Sequence, residues 1–154
     1  MVRPAEAAQM RRVVRAVLVG IAVLLTGIFS MAVYINPYGP DGVARSSATH
    51  TQLGLPPCNF KLISDKGCPS CGMTTSFALL VRGDVMASLR ANWVGTIICV
   101  VWALTLLWAT ASAITGRMVL IPRYKGAGEV IFTAIAGFIV MLMLGRWGAL
   151  LLWG

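Results

Sequence analysis

Residues 91–116 read ANWVGTIICVVWALTLLWATASAITG, a run without one charged side chain. At a helical rise of about 1.5 Å per residue it reaches about 39 Å, more than the roughly 30 Å of a hydrocarbon core. Residues 16–35 are uncharged as well and long enough to cross. A third apolar run, 130–154, is interrupted only by Arg146. Its uncharged part, 130–145, covers only about 24 Å, so Arg146 must snorkel to the interface or face protein. The whole chain agrees with these runs: of 154 residues 58% are hydrophobic and only 12% charged, too few to cover a soluble globule. The expected fold is an all-α membrane protein with three transmembrane helices plus a short amphipathic interfacial helix after a cysteine-bearing loop.

A net charge of +8 would suggest nucleic acid in a soluble protein. Here Arg3, Arg11, Arg12 and Arg15 precede the first span, and Arg117, Arg123 and Lys125 lie between the second and third. That is where the positive-inside rule places cations. No basic patch is interleaved with aromatics, so no nucleic-acid partner is expected. The charges order the chain as a basic cytoplasmic N-terminus (1–15), first span (16–35), extracytoplasmic cysteine loop (36–72), interfacial helix and corner (73–90), second span (91–116), basic cytoplasmic loop (117–129) and third span (130–154). Arg45, Lys61, Lys66, Arg82 and Arg90 are spread through a connection long enough for the charge rule to lose force. Tyr34, Tyr38, Trp93, Trp147 and Trp153 are placed in an outer aromatic belt and Tyr124 at the inner interface, with Trp102 and Trp108 left to packing. The Ser30-Met31-Ala32 site would suit a cleavable signal, but an apolar run of 20 residues exceeds the usual core of about 7–15, so a retained anchor is expected.

The stretch Asn36-Pro37-Tyr38-Gly39-Pro40-Asp41-Gly42 stops the first helix. Residues 43–57 follow no period and read as loop, and Leu62 and Ile63 would anchor the excursion on the membrane. Met73, Phe77 and Leu80, widened by Ala78 and Val81, make one helical stripe that leaves Ser76 and Arg82 outside it. This predicts an amphipathic helix over 74–82, lying in the outer interface or on the other helices. Gly83 is placed to end it, and Asp84 to cap a second helix over 85–92 rather than to catalyse. Glu129 suits the start of the third helix. The pairs Gly20 and Gly27, Ala109 and Ala113, and Thr133 and Gly137 would permit close helix contact.

Chemistry concentrates in Pro57-Cys58 and Gly67-Cys68-Pro69-Ser70-Cys71-Gly72-Met73-Thr74. Two thiols in a tight Cys-Pro-x-Cys-Gly turn, with a third ten residues upstream, can grip one metal ion or form a disulfide. A structural zinc site needs four ligands, and counting offers Cys58, Cys68, Cys71 and the single histidine, His50. In an oxidising compartment Cys58 would instead join Cys68 or Cys71. Alternatively Cys68 and Cys71 pair at a helix N-terminus, which describes a membrane thiol-disulfide oxidoreductase with Cys58 as shuttle and a quinone as oxidant. A structural brace carries more weight, since a relay needs a second pair and Cys99 is a lone thiol inside a span, where cysteine acts as a small hydrophobe. No catalytic residue is assigned on that reading. Haem attachment is excluded because Gly72 stands where Cys-x-x-Cys requires histidine.

These residues, with Ser76-Phe77-Ala78 and Gly83-Asp84, resemble the signature of small bacterial membrane proteins of domain of unknown function 2752. The resemblance covers about residues 57–95. Thr75 departs from it where the pattern has arginine, and Trp93 where it often has proline, so no anion-binding role is carried over to position 75. The resemblance implies few spans around a cysteine-bearing loop in the bacterial inner membrane, and no established activity. The expected function is that of a small accessory or scaffold subunit, braced by disulfide or zinc, that sits in the lipid bilayer and packs on a larger integral membrane protein or complex. A transporter is disfavoured because the spans lack a central acid or base and a broken-helix pair.

Overall fold

A computed structural model describes residues 4–115 and 127–153. The expectations for Arg3, Arg117, Arg123, Tyr124 and Lys125 lie outside those residues, as do those for the side chains of Arg11, Glu129 and Trp153. Among the described residues five α-helices follow in order: α1 (Pro4–Tyr34), α2 (Asn59–Ser64), α3 (Met73–Leu80), α4 (Val85–Thr115) and α5 (Ala127–Trp153), with a 3₁₀ turn at Thr49–Leu53. The stretches Arg12–Tyr34, Val85–Thr115 and Thr133–Leu152 are each long and apolar enough to cross a bilayer. The chain is therefore a membrane-embedded, all-helical protein.

Proline lacks the N–H a helix would use, and α1 stops three residues before Pro37. The released backbone at Asn36 is held by Gln52, whose Oε1 accepts from Asn36 N at 3.0 Å and whose Nε2 donates to Asn36 O at 2.6 Å. The 3₁₀ turn that carries Gln52 falls in the stretch expected as plain loop, bracketed by left-handed residues Ala48 and Gly54. The carbonyls that α1 leaves open at its C-terminus are met by Arg82, which donates to Ala32 O at 3.2 Å and Val33 O at 2.7 Å, and to Ala78 O of α3 at 2.8 Å. A cation there also opposes the negative end of the helix dipole.

Helix α3 is packed between α1 and α4. Thr75, Ser76, Phe77, Ala78 and Leu79 are all buried, a wider face than the predicted stripe. Ser76 differs from expectation because its polar group is satisfied internally: its hydroxyl donates to Met73 O at 2.8 Å, and Ser88 Oγ donates to Ser76 O at 2.8 Å. Phe77 is the centre of the core, 6.4 Å from the Phe29 ring and 5.6 Å from that of Trp102. Around it pack Ala32, Val94, Ile98 and Cys99, with Ile139, Leu142 and Met143 of α5. A second cluster of Leu18, Ala109 and Ala113 joins α1 to α4, where the small side chains let the helices approach and Trp108 covers the seam. Gly20, Gly27 and Gly137 face open space and make no such contact.

Helix α4 is two helices joined at Asn92, whose φ of −162° and ψ of 98° are extended. Asn92 caps the second of them: its Oδ1 accepts from Gly95 N at 3.0 Å. Because Gly95 N turns to that side chain, Ala91 O loses its normal helical donor and is left open. Trp93 then occupies the first helical position, the one place in a helix where proline is tolerated.

Candidate metal centre

The segment between α2 and α3 folds as a knuckle because its own amides close the turn. Cys71 N donates to Cys68 O at 3.0 Å and Met73 N to Ser70 O at 3.0 Å. Gly72 leaves the turn with φ +82°, a region costly for residues with a Cβ. A methyl group at Gly72 would lie 2.6 Å from Ala91 O and 2.8 Å from Ser46 O, so the knuckle rests directly on the break in α4. Asn92 fastens it there, its Nδ2 donating to Cys71 O at 3.1 Å. One buried asparagine thus caps a transmembrane helix and anchors the cysteine turn.

Cys58 sits at the start of α2, and its sulfur meets the other two: one ligand atom from each of Cys58, Cys68 and Cys71 lies within 4.8 Å of the rest. The Cys68 and Cys71 sulfurs are 3.4 Å apart. A disulfide bond is about 2.05 Å long, whereas two thiolates on one tetrahedral zinc, each at about 2.3 Å, stand about 3.8 Å apart. The separation matches the second arrangement better than the first. These three cysteines can hold a metal ion.

Burial raises the Cys68 thiol, but hydrogen bonds from Ser70, Cys71 and Cys58 outweigh it and bring the pKa down from 9.0 to about 7. Cys71 moves the other way, up to about 11, through burial and the neighbouring Cys68 charge and hydrogen bond. Two sulfurs in contact cannot both ionise freely, so the first proton leaves near neutrality and the second is retained. In the metal-free protein, alkylation by iodoacetamide is expected to be half-maximal near pH 7 for Cys68 and only near pH 11 for Cys71. Ser70→Ala should move the Cys68 midpoint upward, and an unmoved midpoint would remove Ser70 as the stabilising donor.

The structure does not bring His50 into this cluster; its Nε2 lies 3.2 Å from Pro56 O. Cys99 is buried in the apolar core around Phe77. Asp84 accepts from Ala87 N at 3.2 Å, and Gly83 has φ +82°. Thr75 is buried and hydrogen-bonded to Thr49 at 3.0 Å, leaving no room there for an arginine head group without displacing that pair.

Lys66, Phe60 and Asn92 escaped the sequence reading as parts of the site, and of the two places offered for Arg146 the structure takes one. Lys66 Nζ donates to Leu151 O at 2.7 Å, tying the knuckle to the end of α5. Phe60 of α2 meets the Trp147 ring at 5.8 Å, edge to face. Arg146 faces protein rather than the interface, its Nη2 donating to the open Ala91 O at 3.3 Å. The only signal for Arg146 was a lone charge in an apolar run; Lys66 and Asn92 gave none.

Residues 58–108 match the model of a family described as proteins of unknown function (DUF2752). The matched segment begins at Cys58, takes in the knuckle, α3 and the break in α4, and bears out the resemblance read from the cysteine spacing. No curated protein and no solved structure matches the chain.

Proposed function

We propose that the chain is a small integral membrane accessory subunit whose sulfur knuckle holds one zinc ion and so fixes the loop between the first two spans for contact with a larger membrane partner. The observation that carries this reading is the convergence of Cys58, Cys68 and Cys71 within 4.8 Å, from two separate turns, onto the broken helix of the second span. Thiolates are soft donors that favour zinc over hard cations. A bound ion would join α2 to α3 covalently in effect, a constraint suited to presenting a surface. His50 is the protein group proposed for the fourth position, for which it would give up Pro56 O; otherwise water completes the tetrahedron. The distribution of arginines supports a cytoplasmic N-terminus and an extracytoplasmic knuckle. Exposed apolar side chains along α5, among them Ile131, Ile135, Phe138 and Met141, supply a surface for lipid or the partner.

A second reading is supported by one observation: a low-pKa Cys68 beside Cys71, just before the N-terminus of α3, is an arrangement that favours thiol-disulfide exchange. Alkylation of the full chain in mild detergent separates the two. The zinc reading expects the three thiols to be protected until a chelator is added, with a reductant having no effect. Protection relieved by reductant alone would sink it in favour of exchange.

A further inference from the structure

Arg146 is the sole charge within Thr133–Leu152, and a guanidinium at membrane depth is costly unless it is paired. Its pairing is half complete. Nη2 reaches Ala91 O, but Nη1 is buried with no hydrogen-bond partner among the described residues, and so is Nε1 of the adjacent Trp147. Both donors sit where α5 approaches the cysteine loop, since Trp147 meets Phe60 and Lys66 reaches Leu151 O. The carbonyl that Nη2 reaches is also the one on which the knuckle rests, since a methyl group at Gly72 would lie 2.6 Å from Ala91 O. The outer end of α5 therefore brings one positive charge and two unmatched N–H donors to a cluster of three thiols.

Loading that cluster changes its charge. Three thiols release three protons, and a dication bound by three thiolates with a neutral fourth ligand carries one net negative charge. We propose that Arg146 is the counter-cation of the metal-loaded cluster, so that loading clamps α5 onto the knuckle and unloading releases it. This rests on the zinc reading above and makes metal occupancy the regulator of how α5 is held. The charge of the loaded cluster supplies what the guanidinium lacks, and a partly buried ion pair of this kind is screened by salt much less than an exposed one. Arg146 acts through the ligands rather than on the ion, so it is a positioning residue.

The test uses the full chain in mild detergent, with zinc titrated against a competing chelator. R146Q should bind zinc about tenfold or more weakly, the range seen when groups supporting metal ligands are lost, and R146K should recover most of the affinity. In the wild type, removing zinc should speed amide exchange at the end of α5, around residues 144–152, and leave α1 unchanged. If R146Q keeps native helicity and wild-type zinc affinity, or if exchange in α5 ignores zinc, the clamp is overturned while the zinc site stands. A wild type that binds no zinc overturns both. Should R146Q fail to fold, wild-type exchange with and without zinc decides the matter alone.

Discussion

Gly72→Ala is expected to lift the knuckle off the second span and to destabilise the protein by about 2–5 kcal/mol. Left-handed backbone costs an L-residue roughly 1–2 kcal/mol. The larger part is steric: the added methyl would sit 2.6 Å from Ala91 O and 2.8 Å from Ser46 O, both backbone atoms that no rotamer change can move. Relief requires the turn to retreat, which breaks the bond from Asn92 Nδ2 to Cys71 O and strands a buried amide, at about 1–3 kcal/mol. Gly54→Ala is the matched control. It has φ +74° with nothing within 4 Å of the added carbon, so it should show only the backbone cost of about 1–2 kcal/mol. Unfolding followed by circular dichroism in mixed micelles would measure both, and equal losses would mean that the knuckle does not rest on the break.

Cys71→Ser should reduce zinc affinity at least about a hundredfold. Structural zinc sites contribute about 10–16 kcal/mol across four ligands, so each ligand carries about 3 kcal/mol. Serine replaces a soft thiolate with a hydroxyl that stays protonated at neutral pH. Cys99→Ser makes the same chemical change in the apolar core, where it should leave zinc affinity unaltered and instead cost stability by burying a hydroxyl. Competition titration on the two variants separates the roles. A loss of zinc affinity at Cys99 equal to that at Cys71 would point to general unfolding rather than to ligation.

The spans were legible because bilayer thickness converts directly into a length of uncharged sequence. The sulfur trio was legible for a related reason: Cys68 and Cys71 are brought together by a local turn, and Cys58 is only ten residues away. What hid was everything set by distant parts of the chain. Asn92 reads as one polar residue entering an apolar run; its double role exists only because Cys71 O, from 21 residues earlier, arrives at its amide. Ser76 fell outside the apolar stripe, and nothing local says that Ser88 will close over it. Arg82 likewise fell outside the stripe, and nothing local says that α1 will finish beside it. His50 was counted as a ligand from residue type alone, and no local signal says that its ring will sit 3.2 Å from Pro56 O. Gly20 and Gly27 have the spacing of a helix seam, but the α1–α4 seam is built on Leu18, Ala109 and Ala113 instead.

Elemental analysis of the full chain, purified in mild detergent without added metal or chelator, tests the central claim most directly. The account predicts about one zinc per chain, and none once Cys58, Cys68 and Cys71 are all replaced by serine. Folded protein with all three sulfurs intact and no bound transition metal would contradict it.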